Sequence, residues 1–126
     1  VVREKKFLLN ILSKNSNALK RIINSLLQYE YIYKRIRLYN NPEQNFQTFQ
    51  KKVSKRYGIS EQEVSEIKEI LRLSKAHKES SMEFPREKKV IILSEDMKKQ
   101  TIDINNIKKQ INLLKRILKK IEKNIT

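Results

Sequence analysis

Leu8, Leu12, Leu19, Ile22, Leu26, Tyr29, Tyr33 and Ile36 follow alternating steps of four and three once Asn15 takes the vacant place, the period of a helix with one apolar face. The spacing predicts a helix over about residues 5–39, roughly 50 Å long at 1.5 Å per residue. Residues 13–17 are its weakest stretch and predict either a kink or a break. Asn15 is then either a register-setting polar residue or the break itself. Asn40-Asn41-Pro42 stops this helix and opens a second, because proline suits a first helical turn. Phe46, Phe49, Val53 and Tyr57 form the apolar stripe of the second helix, and Ser60-Glu61-Gln62-Glu63 reads as a capping box for a third. That helix buries Val64, Ile67, Ile70 and Leu71 and fades near residues 78–81. Beyond Pro85 the texture changes: residues 89–94 and 100–104 are β-prone runs on either side of a charged loop, 95–99, and predict a hairpin. Two strands alone are marginal in water, so the hairpin must lie on the helices.

From about residue 105 a last helix carries Ile104, Ile107, Ile111, Leu114, Leu118, Ile121 and Ile125 in three-four spacing, widened by Leu113 and Ile117. Its apolar positions sustain a heptad for about three repeats, more than one neighbour covers. It is expected to pack on helix one, either within the chain or across the two-fold axis of a homodimer formed through the terminal helices. No internal repeat or low-complexity linker interrupts the pattern, which predicts a single domain over 1–126. The expected fold is mainly α: a helical bundle with a long N-terminal helix, a helix-turn-helix-like pair, one β-hairpin and a long C-terminal helix.

Composition agrees, with one glycine and two prolines among 126 residues and 34% charged side chains. The absence of cysteine excludes disulfides, thiolate zinc sites and cysteine nucleophiles, and a single histidine argues against an all-protein transition-metal site. Glu83, Glu87, Glu95 and Asp96 follow no loop-ligand pattern, so neither a metal nor a cofactor is expected. No apolar run approaches a membrane span, and the first seven residues lack a signal-peptide core. A cytoplasmic protein without a membrane partner is expected, and the missing initiator methionine suggests a processed or trimmed chain. Net charge is +15, with nine cations against two carboxylates over residues 1–40 and seven against one over residues 105–126. A polyanion relieves such self-repulsion, and nucleic acid, DNA or RNA, is the expected partner. The competing reading is a lysine-rich solvated surface.

Gly58, the only glycine, stands where a turn between two helices requires positive φ. Ser54 supplies the small residue at the crossing, and Val53, Tyr57, Ile59, Val64 and Ile67 supply the shared apolar seam. Residues 50–67 thus resemble the helix-turn-helix family of DNA-binding motifs. With the hairpin 89–104 following, the order resembles a winged helix. The resemblance implies that helix three enters the major groove, presenting Gln62, Ser65, Lys68 and Arg72 beside Glu61 and Glu69. It also implies that Lys51, Lys52, Lys55 and Arg56 meet phosphates while Lys98 and Lys99 on the hairpin loop touch the backbone. One departure stands out: Glu61, Glu63, Glu66 and Glu69 lie on the reading helix, where phosphates would repel them. A helix-turn-helix used only as a packing corner stays open.

A second resemblance rests on Arg72-Leu73-Ser74-Lys75-Ala76-His77, an arginine five positions before the sole histidine, as in the HEPN ribonucleases, which are small helical bundles. It implies His77 as acid or base and Arg72 against phosphate charge. Leu73 stands where that family has a polar residue. On a continuous helix the two side chains lie about 140° apart, so they converge only if the helix ends between them or a dimer mate supplies one. Tyr29 and Tyr33 fall on the stripe and are assigned to packing, leaving Tyr31 and Tyr39 as surface aromatics near Lys34, Arg35 and Arg37. Three functions remain open: a nucleic-acid-binding regulator, a HEPN-like ribonuclease or its inactive derivative, and a helical coiled-coil-type assembly protein.

Overall fold

The computed structural model describes residues 2–96 and 98–125 of the chain. In order these form α1 (Val2–Ile32), α2 (Pro42–Thr48), a π-helical turn (Phe49–Val53), α3 (Ser54–Arg56), α4 (Glu61–Lys78), β1 (Met82–Arg86), β2 (Lys89–Leu93), β3 (Lys99–Asp103) and α5 (Ile104–Asn124). The mainly helical bundle expected from the pattern is the observed one, with long helices at both ends and a helix pair between them.

Helix α1 runs unbroken through residues 13–17. Asn15 is buried there and its Nδ2 donates to Oε1 of buried Gln110 on α5, 2.9 Å away. It therefore sets register: a mispaired α5 would strand two amides in the core. Tyr29 Oη donates to the Ile125 carbonyl at 3.2 Å, so α1 and α5 advance side by side in the same direction. The helix stops at Ile32 rather than near residue 39. Lys34 adopts φ 59°, its N–H reaches the Tyr31 carbonyl at 2.9 Å, and the Arg35 N–H reaches the Glu30 carbonyl at 3.0 Å. This is a Schellman closure with lysine in glycine's usual place, which is why the composition showed no stop. Tyr33, assigned to packing, is consequently exposed, and Ile36 is half-buried in the following loop.

Asn41 caps α2, its side chain accepting from the N–H groups of Glu43 and Gln44, with Pro42 in the first turn. From α2 to α3 the backbone stays helical, and the π-turn inserts one residue, the Ser54 N–H reaching back to the Phe49 carbonyl. The wider turn lets Phe49, Val53 and Ser54 all be buried. At the corner Gly58 takes φ 71°, and the Ile59 N–H closes on the Ser54 carbonyl at 2.9 Å. The Ser60–Glu63 capping box then opens α4.

The expected hairpin is the second half of a three-stranded antiparallel sheet of order β1-β2-β3. Strand β1 turns Met82 and Phe84 outward and contains Pro85, which an edge strand tolerates because its N–H is not needed. Pro85 lies opposite Val90, which in turn lies opposite Ile102. Val90, Ile92 and Ile102 join the main core with the buried residues of α1, α4 and α5. On α5 the register also differs from the one read. Ile107, Gln110, Leu113 and Ile117 are buried, Leu114 and Ile121 are half-buried, and Ile104, Ile111, Leu118 and Ile125 face outward. The Asn15–Gln110 pair and three salt bridges to α4 rotate the helix toward its Gln110 flank.

Candidate nucleic-acid interface

Lys51 and Lys52 on the π-turn and Lys55 and Arg56 on α3 are exposed, as are Gln62, Ser65, Lys68 and Arg72 across the turn on α4. The steep corner leaves a hollow of about 450 Å³ between the two arms, lined by Lys51, Lys55, Ser65, Lys68 and Glu61 over Ile59 and Val64. A second hollow of about 280 Å³ adjoins the same helical segment, lined by Lys34, Arg35, Arg37, Tyr39 and Lys52. Residues 34–56 hold seven cations and one carboxylate, Glu43. Seven exposed cations are thus gathered on a loop and a corner. Lys34, Arg35 and Arg37 were read into the end of helix one beside tyrosines, but that helix stops at Ile32 and they lie on the loop after it.

Three of the four carboxylates at the start of α4, Glu63, Glu66 and Glu69, are paired with cations. Glu63 is buried; it binds Lys120, and Arg116 Nε lies 3.4 Å from it. Burial alone would raise its pKa, but hydrogen bonds from Lys120, the Ser60 N–H and Arg116 outweigh it and hold the carboxyl at about 2. Glu66 receives Arg116 Nη2 at 3.1 Å, and Glu69 is bound by Arg72. Among the described residues Glu61 alone of the four has no cationic partner, so the repulsion expected along this helix is largely removed. The same contacts neutralise Arg116 and Lys120 of the basic C-terminal helix.

Sequence reasoning missed Glu30. It is buried, accepting from Arg35 Nη1 at 2.8 Å and Tyr57 Oη at 3.1 Å, with Arg56 Nε in an ion pair 3.1 Å away. Its signal was an acidic residue four positions after Leu26, on the buried stripe. Burial first, and then the bond to this carboxylate, pushes the Tyr57 phenol up to about 12. Glu30 ties the end of α1, the loop after it and the corner to one anion, and it turns the Arg56 guanidinium partly inward.

Arg72 Nη1 also donates to Gln100 Oε1 on β3 at 2.5 Å, which sets the β2–β3 hairpin beside α4. Met97 of the expected loop 95–99 lies outside the described residues. Around it the Lys98 N–H donates to Asp96 at 3.3 Å and Lys98 Nζ lies 3.9 Å from it. Hydrogen bonds from Ser94 and that N–H lower the Asp96 pKa. Lys98 and Lys99 are exposed. His77 stands elsewhere: it is half-buried, with Nδ1 2.5 Å from Glu83 Oε2 on β1. Helix α4 continues unbroken past both Arg72 and His77, and among the described residues the two share no partner.

Among the described residues no three His, Asp or Glu side chains are grouped to hold a metal ion. Among the described residues no helix is long and apolar enough to cross a membrane. No protein-family model matches the chain, and neither does any curated protein or solved structure.

Proposed function

We propose that this protein binds nucleic acid without cleaving it, holding phosphates against the cationic face of the α3–α4 corner. The observation that carries the reading is the hollow where Lys51, Lys55 and Lys68 converge across the turn. Among the described residues none of the three is paired with a carboxylate, so each remains able to displace counterions. In its winged-helix form the protein is a DNA-binding regulator, with Gln62, Ser65 and Lys68 toward base edges and Lys98 and Lys99 on the backbone. The Arg72–Gln100 contact favours that form by placing hairpin and α4 side by side.

The test is a filter-binding series over salt with single-stranded RNA, single-stranded DNA and duplex DNA. Lys51→Glu and Lys55→Glu should each weaken binding, and neutralising either should lower the salt slope by about one. Wild-type protein that binds none of these at moderate salt removes the proposal.

The second copy belongs to the same proposal. Ile104, Ile111, Leu118 and Ile125 stand exposed at intervals of seven residues. Two antiparallel α5 helices related by a two-fold axis would set Ile111 of one copy beside Leu118 of the other. That arrangement also brings Glu122, the sole carboxylate in residues 104–126, beside Lys108 of the other copy, since both follow a stripe residue by four positions.

A further inference from the structure

We infer that the hollow under the 33–39 loop is a subsite for unpaired nucleotides, and that the protein therefore prefers single strands over duplex there. The inference rests on the nucleic-acid reading above and names its substrate class. Three of the chain's five tyrosines, Tyr31, Tyr33 and Tyr39, are exposed by 52%, 56% and 44%. Large rings left in water within one short stretch of chain are informative in a way that a lone exposed leucine is not. Two of them adjoin cations: Tyr39 shares the walls of the hollow with Lys34, Arg35, Arg37 and Lys52, and Arg35 of that wall lies over the Tyr33 ring. Among the described residues no carboxylate lines it.

The parts are held in place before any ligand arrives. The Arg35 guanidinium is fixed by buried Glu30 at 2.8 Å and lies over the Tyr33 ring, 5.1 Å from its centroid. The Tyr33 ring also packs on Tyr29, with centroids 4.8 Å apart. The Tyr39 backbone is clamped from both sides by Asn45, whose Oδ1 accepts the Tyr39 N–H at 2.8 Å and whose Nδ2 donates to the Tyr39 carbonyl at 2.9 Å. Such pre-ordering spares a ligand the cost of freezing these side chains. At about 280 Å³ the hollow lies near the small end of ligand sites, roughly 300 to 1,000 Å³. It admits one nucleotide-sized group and not the width of a duplex. Aromatic faces stack only on bases that have left their own stack, while cations hold phosphates regardless of sequence. An acidic peptide would satisfy the cations and leave the rings idle.

The experiment is fluorescence anisotropy with labelled oligo(dT), oligo(rU), a duplex DNA and a polyglutamate peptide. It compares the wild type with Tyr33→Leu/Tyr39→Leu, Tyr33→Phe/Tyr39→Phe and Lys51→Glu/Lys55→Glu. Losing one stacked base should weaken single-strand binding by roughly 5- to 150-fold with the salt slope unchanged, because no phosphate contact is removed. Duplex binding should be unaffected, and the phenylalanine pair should retain single-strand affinity because the ring faces remain. If the leucine pair leaves single-strand affinity intact while the charge reversals lower it, the subsite is refuted and the broader reading stands. Binding of no nucleic acid by the wild type overturns both. Polyglutamate competing as well as oligo(dT) overturns the stacking role.

Discussion

Glu63→Gln tests how the carboxylates of α4 are neutralised. The substitution keeps an oxygen for the Ser60 N–H of the capping box but removes the charge that Lys120 and Arg116 share. In the folded chain the carboxyl sits at about 2 against an ordinary 4.5. At about 1.4 kcal/mol per unit the depression corresponds to about 3 kcal/mol of stability above pH 4.5. Because the folded pKa is the lower one, this contribution is complete above the unfolded value and vanishes as pH falls from 4.5 through 2. Urea unfolding followed by circular dichroism should find the variant about 3 kcal/mol less stable at pH 7. The gap should close steadily below pH 4.5 and be nearly gone at pH 2. Equal stability at pH 7, or a gap of constant size down to pH 2, would refute the reasoning, since only a charge-borne contribution follows that course.

Two backbone substitutions should act in opposite directions: Lys34→Gly, at φ 59°, should raise stability by about 1 kcal/mol, or about 4 °C in Tm. Gly58→Ala should lower it by about 1 kcal/mol through the left-handed backbone alone, as the nearest atom to an added Cβ is Asn124 Nδ2 at 3.9 Å; thermal melts check both. Asn15→Leu alone should cost about 1 to 3 kcal/mol by stranding Gln110, whereas Asn15→Leu/Gln110→Leu should recover most of it. Strict additivity in that double-mutant cycle would contradict the buried amide pair. Leu118→Glu, on the outward stripe of α5, should convert a dimer to a monomer in sedimentation equilibrium without altering the helical signal; an unchanged mass would refute the antiparallel pairing.

Local signals along the chain were sufficient for the elements whose chemistry is local. The Ser60–Glu63 capping box, Asn41-Pro42 and the Gly58 corner each depend on residues within a few positions of one another, and each is found where the pattern put it. The apolar period likewise determined that α1, α4 and α5 are helices. It did not determine which side of α5 is buried, since Ile111 and Leu118 suit a core as well as Leu113 and Ile117 do. That choice was made by partners about fifty and ninety-five residues away in sequence, namely Glu63, Glu66 and Asn15. The end of α1 was illegible for a different reason. Lysine carries no preference for positive φ, and Lys34 holds it while the rest of the fold, including the Arg35–Glu30–Arg56 cluster, keeps the loop in place.

The candidate interface divides along the same line. The sequence determined the number of cations and the presence of a corner, because both are properties of residues taken singly or in short runs. Only the tertiary structure decided which charges are free to meet a polyanion. A charge is cancelled or exposed by whatever lies within a few ångströms of it, and in this chain those neighbours come from distant helices.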